Sequence, residues 1–118
     1  MTARDFRRIA LGLTDAIEGA HMGHPDFRVN GRIFATIHTG EKTGMVKLTP
    51  EQQQRFVRDH PDAFTPVAGA WGRGGSTIVR FDSVDEDTLG EAMTLAWQNE
   101  VNRPDARRSK SRRPKSGL

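Results

Sequence analysis

Residues 26–49 read DFRVNGRIFATIHTGEKTGMVKLT, and the alternation in this stretch decides the fold. Asn30-Gly31 is a strong signal for a tight hairpin. A strict two-residue turn would set Arg32 opposite Val29 and scramble the faces of the flanking strands, because a one-residue slip sends every side chain to the other side of a sheet. One extra residue at the turn restores order. It places Phe27, Val29, Ile33, Ala35 and Ile37 on one face and Asp26, Arg28, Arg32, Phe34, Thr36 and His38 on the other. The pattern therefore predicts a bulged or three-residue turn. The run GEKTG at 40–44 makes the next turn, after which Val46 and Leu48 point inward and Met45 and Lys47 outward.

Helical patterns flank this meander. Phe6, Ile9, Ala10 and Leu13 recur at i, i+3, i+4 and i+7 across residues 2–13, and Thr2 with Asp5 resembles an N-terminal cap. In TPEQQQRFVRDHP, Thr49 is the cap, Pro50 takes the first helical position, Gln52 completes a capping box and Pro61 ends the helix. Phe56 and Val57 face its core side. STIVRFD is a strand with Thr77, Val79 and Phe81 on one face. Asp85 caps a last helix with apolar positions Leu89, Ala92, Met93, Ala96, Trp97 and Val101. The expected class is α+β: an antiparallel sheet with helices on one face.

The 118 residues make one small domain, and the absence of cysteine removes disulfides, thiol nucleophiles and cysteine-ligated zinc. The first residues carry Asp5 and several arginines among their apolar positions, unlike a signal peptide, and no apolar run approaches a membrane span of ~20 residues. A cytoplasmic, monomeric protein with no membrane partner is expected. The net charge of +3 conceals a split. Residues 102–118 hold seven Lys/Arg and one Asp, a net +6, whereas residues 1–101 hold 11 Lys/Arg and 14 Asp/Glu, a net −3. Residues 1–101 are thus read as the folded domain. Residues 102–118, with Arg107, Arg108, Arg112 and Arg113, are read as a basic, disordered tail. Such an arm either contacts polyanions weakly or merely solubilises the chain.

GAWGRGGST at 69–77 is the sharpest motif-like string. A Walker loop needs Lys before the Ser/Thr and a helix after it, but Gly75 stands in the Lys position and a strand follows. A dinucleotide fingerprint is matched only at Gly72-Arg73-Gly74. The glycines read better as turn chemistry. In HMGHPD, His21, His24 and Asp26 raise a metal site, but only His38 and His60 remain as further imidazoles, so no metal is expected. No nucleophile elbow or acid/base pair is nominated, and neither enzymatic activity nor a cofactor is expected. The sheet face away from the helices is more suggestive. Arg28, Arg32, Lys47 and Arg80 share it with Phe34 and Met45, and Arg73 stands on the glycine loop. Cations interleaved with an aromatic suit phosphate contacts and base stacking. A solvated polar face explains the same pattern.

GHPDFRVNGRIFATI, VKLTPEQQ and PDAFTPVAGAWGRGGSTIVRF together resemble the MmcQ/YjbR family. The likeness covers roughly residues 2–101. It is carried by His24-Pro25-x-Phe27-Arg28-Val29, Gly31-x-Ile33-Phe34-Ala35, Lys47-Leu48-x-Pro50-Glu51 and the Trp71-Gly72 loop. Arg32 stands where the family usually has Lys, and the tail is outside the family pattern. The resemblance implies a compact fold like that of frataxin-type (CyaY-like) proteins, described as a double-wing DNA-binding motif, with no catalytic residues. The resulting expectation is a small, non-enzymatic DNA-binding protein. The alternative is a protein- or small-ligand-interaction module using the Phe34/Trp71 region.

Overall fold

The computed structural model describes residues 1–104. The chain runs α1 (Ala3–Leu11), β1 (Ile17–His21), β2 (His24–Val29), β3 (Arg32–Ile37), β4 (Thr43–Lys47), α2 (Pro50–Asp59), β5 (Phe64–Pro66), α3 (Ala70–Arg73), β6 (Ser76–Arg80) and α4 (Glu86–Val101). The strands make one sheet in the order β1-β2-β3-β4-β6-β5, with every neighbouring pair antiparallel.

The helix starts follow their capping chemistry. Thr2 with Asp5, and Thr49 with Gln52, form reciprocal capping boxes, and the Asp85 carboxylate accepts from the Thr88 amide at 2.7 Å. Each cap satisfies amides that an α-helix leaves without an internal partner. The helices α1, α2 and α4 bury their apolar faces on one side of the sheet. Phe6 of α1 packs against Phe27 and Phe81, with ring centroids 6.0 and 5.1 Å apart. Leu89, Ala92, Met93 and Ala96 of α4 are buried in the same core, and Phe56 of α2 meets Phe64 of β5 at 5.1 Å. Each buried Phe or Leu side chain contributes about 1.5–3 kcal/mol relative to exposure.

The β2–β3 hairpin departs from the expected form. Its turn is the strict two-residue Asn30-Gly31 turn, with φ of 55° and 77° and Val29 paired to Arg32. The irregularity lies within the strands. Phe27 pairs with Ala35 and Arg28 with Ile33, so Phe34 is the extra residue. A bulge reverses the alternation beyond it. Phe34 is therefore 0% exposed in the core, and Ile33 takes the opposite face beside Arg28. The expected positions of Phe34 and Ile33 are exchanged because the sheet absorbs the extra residue where a large aromatic gains most from burial.

The glycine loop also has a structural account. Gln53 of α2 is buried, and its Nε2 donates to the carbonyls of Gly72 and Ser76 at 3.0 Å each. The Thr77 hydroxyl donates to the Gly75 carbonyl at 2.8 Å. Gly75 has φ +111°, and a Cβ there would collide with the Leu48 carbonyl, so only glycine fits. Residues 70–73 form a single helical turn between β5 and β6 that the periodicity did not reveal.

Candidate nucleic-acid interface on the open sheet face

The sheet face away from α1, α2 and α4 carries a cleft of about 320 Å³. Its floor and walls include Ile33 of β3, Met45 and Lys47 of β4, and Trp71 of α3. Trp71 is 71% exposed, which leaves most of an indole available on a concave surface. The α3 turn places it there: Gly72 packs against the Val67 backbone, and this holds α3 over the sheet edge.

Three histidines border the same cleft, each oriented by a hydrogen bond. The His21 ring Nδ1 lies 2.8 Å from Asp26 Oδ2, the His24 Nδ1 lies 3.1 Å from the Thr39 hydroxyl, and the His38 Nδ1 lies 2.9 Å from the Thr43 hydroxyl. The His21 and His24 rings are 6.4 Å apart. Burial pushes the His38 pKa down, with the neighbouring His24 charge a smaller cause.

Asp26 is 0% exposed although it sits on this open face. Arg28 donates to it twice, Nε to Oδ1 at 2.7 Å and an Nη to Oδ2 at 3.0 Å. The Arg28 hydrogen bonds, and then the His21 bond, hold the Asp26 carboxyl below the usual carboxylate range, whereas burial opposes them. Gly19 makes room for the cluster, since a Cβ there would lie 2.9 Å from Asp26 Oδ1 and 3.0 Å from Arg28 Nε.

The cations expected to act together have separate duties. Arg28 is on the open face, but its guanidinium is committed to Asp26. Arg32 is not on that face. It pairs with Val29 and donates to the carbonyls of Arg103 and Pro104, both at 2.8 Å, just beyond the end of α4. It completes the C-terminal end of the helix, where carbonyls favour a cation. Arg80 is on the open face by register, opposite Thr43, but donates to the Asp62 carbonyl at 2.8 Å and the Pro61 carbonyl at 3.2 Å. Lys47 lines the cleft, and although its carbonyl accepts from Asn99 Nδ2 at 3.1 Å, its ammonium has no ion-pair or hydrogen-bond partner among the described residues. Arg73 shares α3 with Trp71 and likewise has no ion-pair partner among the described residues, but it does not line the cleft. Arg107, Arg108, Arg112 and Arg113 lie outside the described residues.

The structure therefore brings Lys47, Met45 and Trp71 together, keeps His38 on the face where alternation placed it, adds Ile33, and removes Arg32 and Phe34. Ile33 was not read as a member of the face. Its signal was the position of the bulge, which the alternating pattern alone places wrongly. Among the described residues no group of three His, Cys, Asp or Glu side chains is placed to hold a metal ion. No helix among them is long and apolar enough to cross a membrane.

The chain was compared with known proteins. The sequence model of the YjbR family matches residues 11–99. No curated protein matches the chain. The crystal structure of Deinococcus radiodurans protein DR2400, with the domain DUF419, is similar at a TM-score of 0.76 and 20% identity, covering 99% of this chain and 88% of that one. This likeness extends the fold over the whole helix-and-sheet arrangement. With the family match spanning most of the sequence, the chain belongs to the YjbR family.

Proposed function

We propose that the protein is a non-enzymatic nucleic-acid-binding protein whose contact surface is the open-face cleft. The observation that carries this reading is the exposed Trp71 beside Lys47, whose ammonium has no partner among the described residues, on a concave apolar floor. An exposed indole stacks on a base of any sequence, with ~1–3 kcal/mol per base, and a free cation contacts the adjoining phosphate. Arg73 extends the contact along α3, and the basic residues of 102–118 supply nonspecific affinity for the same polyanion. DNA is the partner proposed, in keeping with the double-wing DNA-binding character that the family resemblance implies. Splayed bases suit the cleft better than a stacked duplex.

Charge reversal tests this reading. Lys47→Glu with Arg73→Glu is expected to weaken binding of a short single-stranded oligonucleotide at least about tenfold and to reduce the salt slope by about 2, read by fluorescence anisotropy at two salt concentrations. Lys42→Glu with Arg58→Glu changes net charge equally outside the cleft and should cost much less. Equal losses from both pairs would mean that only net charge matters, and the cleft would lose its role. The second reading, an interaction module for a small ligand, draws on the concave shape of the cleft. It predicts a ligand whose affinity barely responds to salt.

A further inference from the structure

The histidine end of the cleft has no role in stacking a base on Trp71. We propose that it seats a terminal phosphate monoester of a nucleoside phosphate, with the base lying toward Trp71 and Lys47. This rests on the nucleic-acid reading above, and it names the chemical group that the cleft recognises. Three orienting hydrogen bonds carry the proposal. His21 is turned by Asp26 and His38 by Thr43, each through Nδ1, which leaves both Nε2 atoms without a partner among the described residues. His24 is held by Thr39 within the same group. The Lys47 ammonium and the Ser76 hydroxyl line the same cleft and can donate to an oxyanion. At about 320 Å³ the cleft falls at the lower end of the ~300–1,000 Å³ span of small-ligand sites, so it holds one nucleotide unit rather than several.

The surrounding charges favour an anion most strongly at acid pH. Asp26 is paired with Arg28 on β2, and Glu18 of β1 with Arg7 of α1 at 2.9 Å. Glu41, in the β3–β4 turn, borders an adjoining recess together with Arg7, His24 and His38. After the pairs cancel, Lys47 and Glu41 remain at the cleft and its recess, Arg73 and Arg80 stand outside its lining, and the cleft itself gains positive charge only as its histidines protonate. Histidine charges between about pH 5 and 8, so the seat strengthens as pH falls. Burial opposes the charging of His38, which therefore needs a lower pH than an exposed imidazole. The basic residues of 105–118 include no histidine. Their attraction for a monoester grows as pH rises through its second ionisation near ~6. The seat and the tail therefore predict opposite signs.

The test is calorimetric titration of the full chain with oligothymidylate four nucleotides long, carrying either a 5′-phosphate or a 5′-hydroxyl, and with free thymidine monophosphate. Each titration is run at pH 5.5 and pH 8. The 5′-phosphate is expected to improve affinity about tenfold at pH 5.5, as charge-assisted hydrogen bonds of this kind allow. That advantage should shrink at pH 8 and fall sharply in His24→Gln with His38→Gln, which leaves His21 in place as the partner of Asp26. His60→Gln, against Phe56 and Phe64 on the helical side, should leave it unchanged. The single His38→Gln variant gives the same reading, with a smaller loss, if the double variant does not fold. A phosphate advantage that is absent, that grows with pH, or that the cleft substitutions leave undiminished overturns the seat while leaving strand binding intact. Binding of thymidine monophosphate alone, with the same pH dependence, sustains the seat and overturns the strand reading. No binding of any of the three at either pH overturns both.

Discussion

Asp26 shows how one residue can reverse the meaning of its neighbours. Its carboxylate is buried, and Arg28 and His21 compensate it. Removing one partner of a buried ion pair strands the other, at a cost of about 3 kcal/mol. Because Arg28 is one-third exposed and His21 stays beside Asp26, Arg28→Met is expected to lose only part of that stability at pH 7, measured by urea unfolding. The folded-state pKa of Asp26 lies below its unfolded value of ~3.9. Its pairing thus stabilises the fold above that value and ceases to do so as pH falls through the depressed folded pKa. The deficit of Arg28→Met should narrow over that acid window. A constant deficit down to pH 2 would show that Arg28 matters by packing alone. Alternation correctly placed Arg28 and Asp26 on one face, but it could not show that the two charges neutralise each other. Burial on an uncovered face depends on Gly19 and on strand β1, and neither leaves a mark in the alternation of residues 26–49.

At the scale of elements, capping and periodicity made α1, α2 and α4 legible, because each has a side-chain cap and an apolar face. The strands β1 and β5 were not legible. The first reads IEGAH, with little β-branched or aromatic character and mostly exposed residues, and the second is only three residues long. The β2–β3 hairpin was half legible. Its turn residues were evident, but the position of the extra residue was decided by packing of Phe34 against the helices, which is a tertiary effect. The bulge yields a paired prediction. Phe34→Ala should destabilise the protein by about 3–5 kcal/mol, whereas Ile33→Ala on the open face should cost about 1 kcal/mol. Thermal unfolding of the two variants checks this. A larger loss at Ile33 would restore the bulge to the turn and return Phe34 to the open face.

For the whole molecule, the division into a net-negative body and a strongly basic C-terminal stretch determines how any polyanion is met. Residues 105–118 hold six Lys/Arg, and removing them should reduce the salt slope of binding by up to about 5. It should leave the helix-and-sheet body folded, because among the described residues the hydrophobic core extends only as far as Val101. What remains after that removal is the cleft itself. The most direct test is amide chemical-shift mapping of the chain ending at Pro104, titrated with a short single-stranded oligonucleotide at low salt. The account predicts saturable shifts at Ile33, Met45, Lys47 and Trp71, with the exposed surfaces of α1 and α4 unmoved. Shifts spread over the helical side, or no shifts at all in a folded chain, would contradict it.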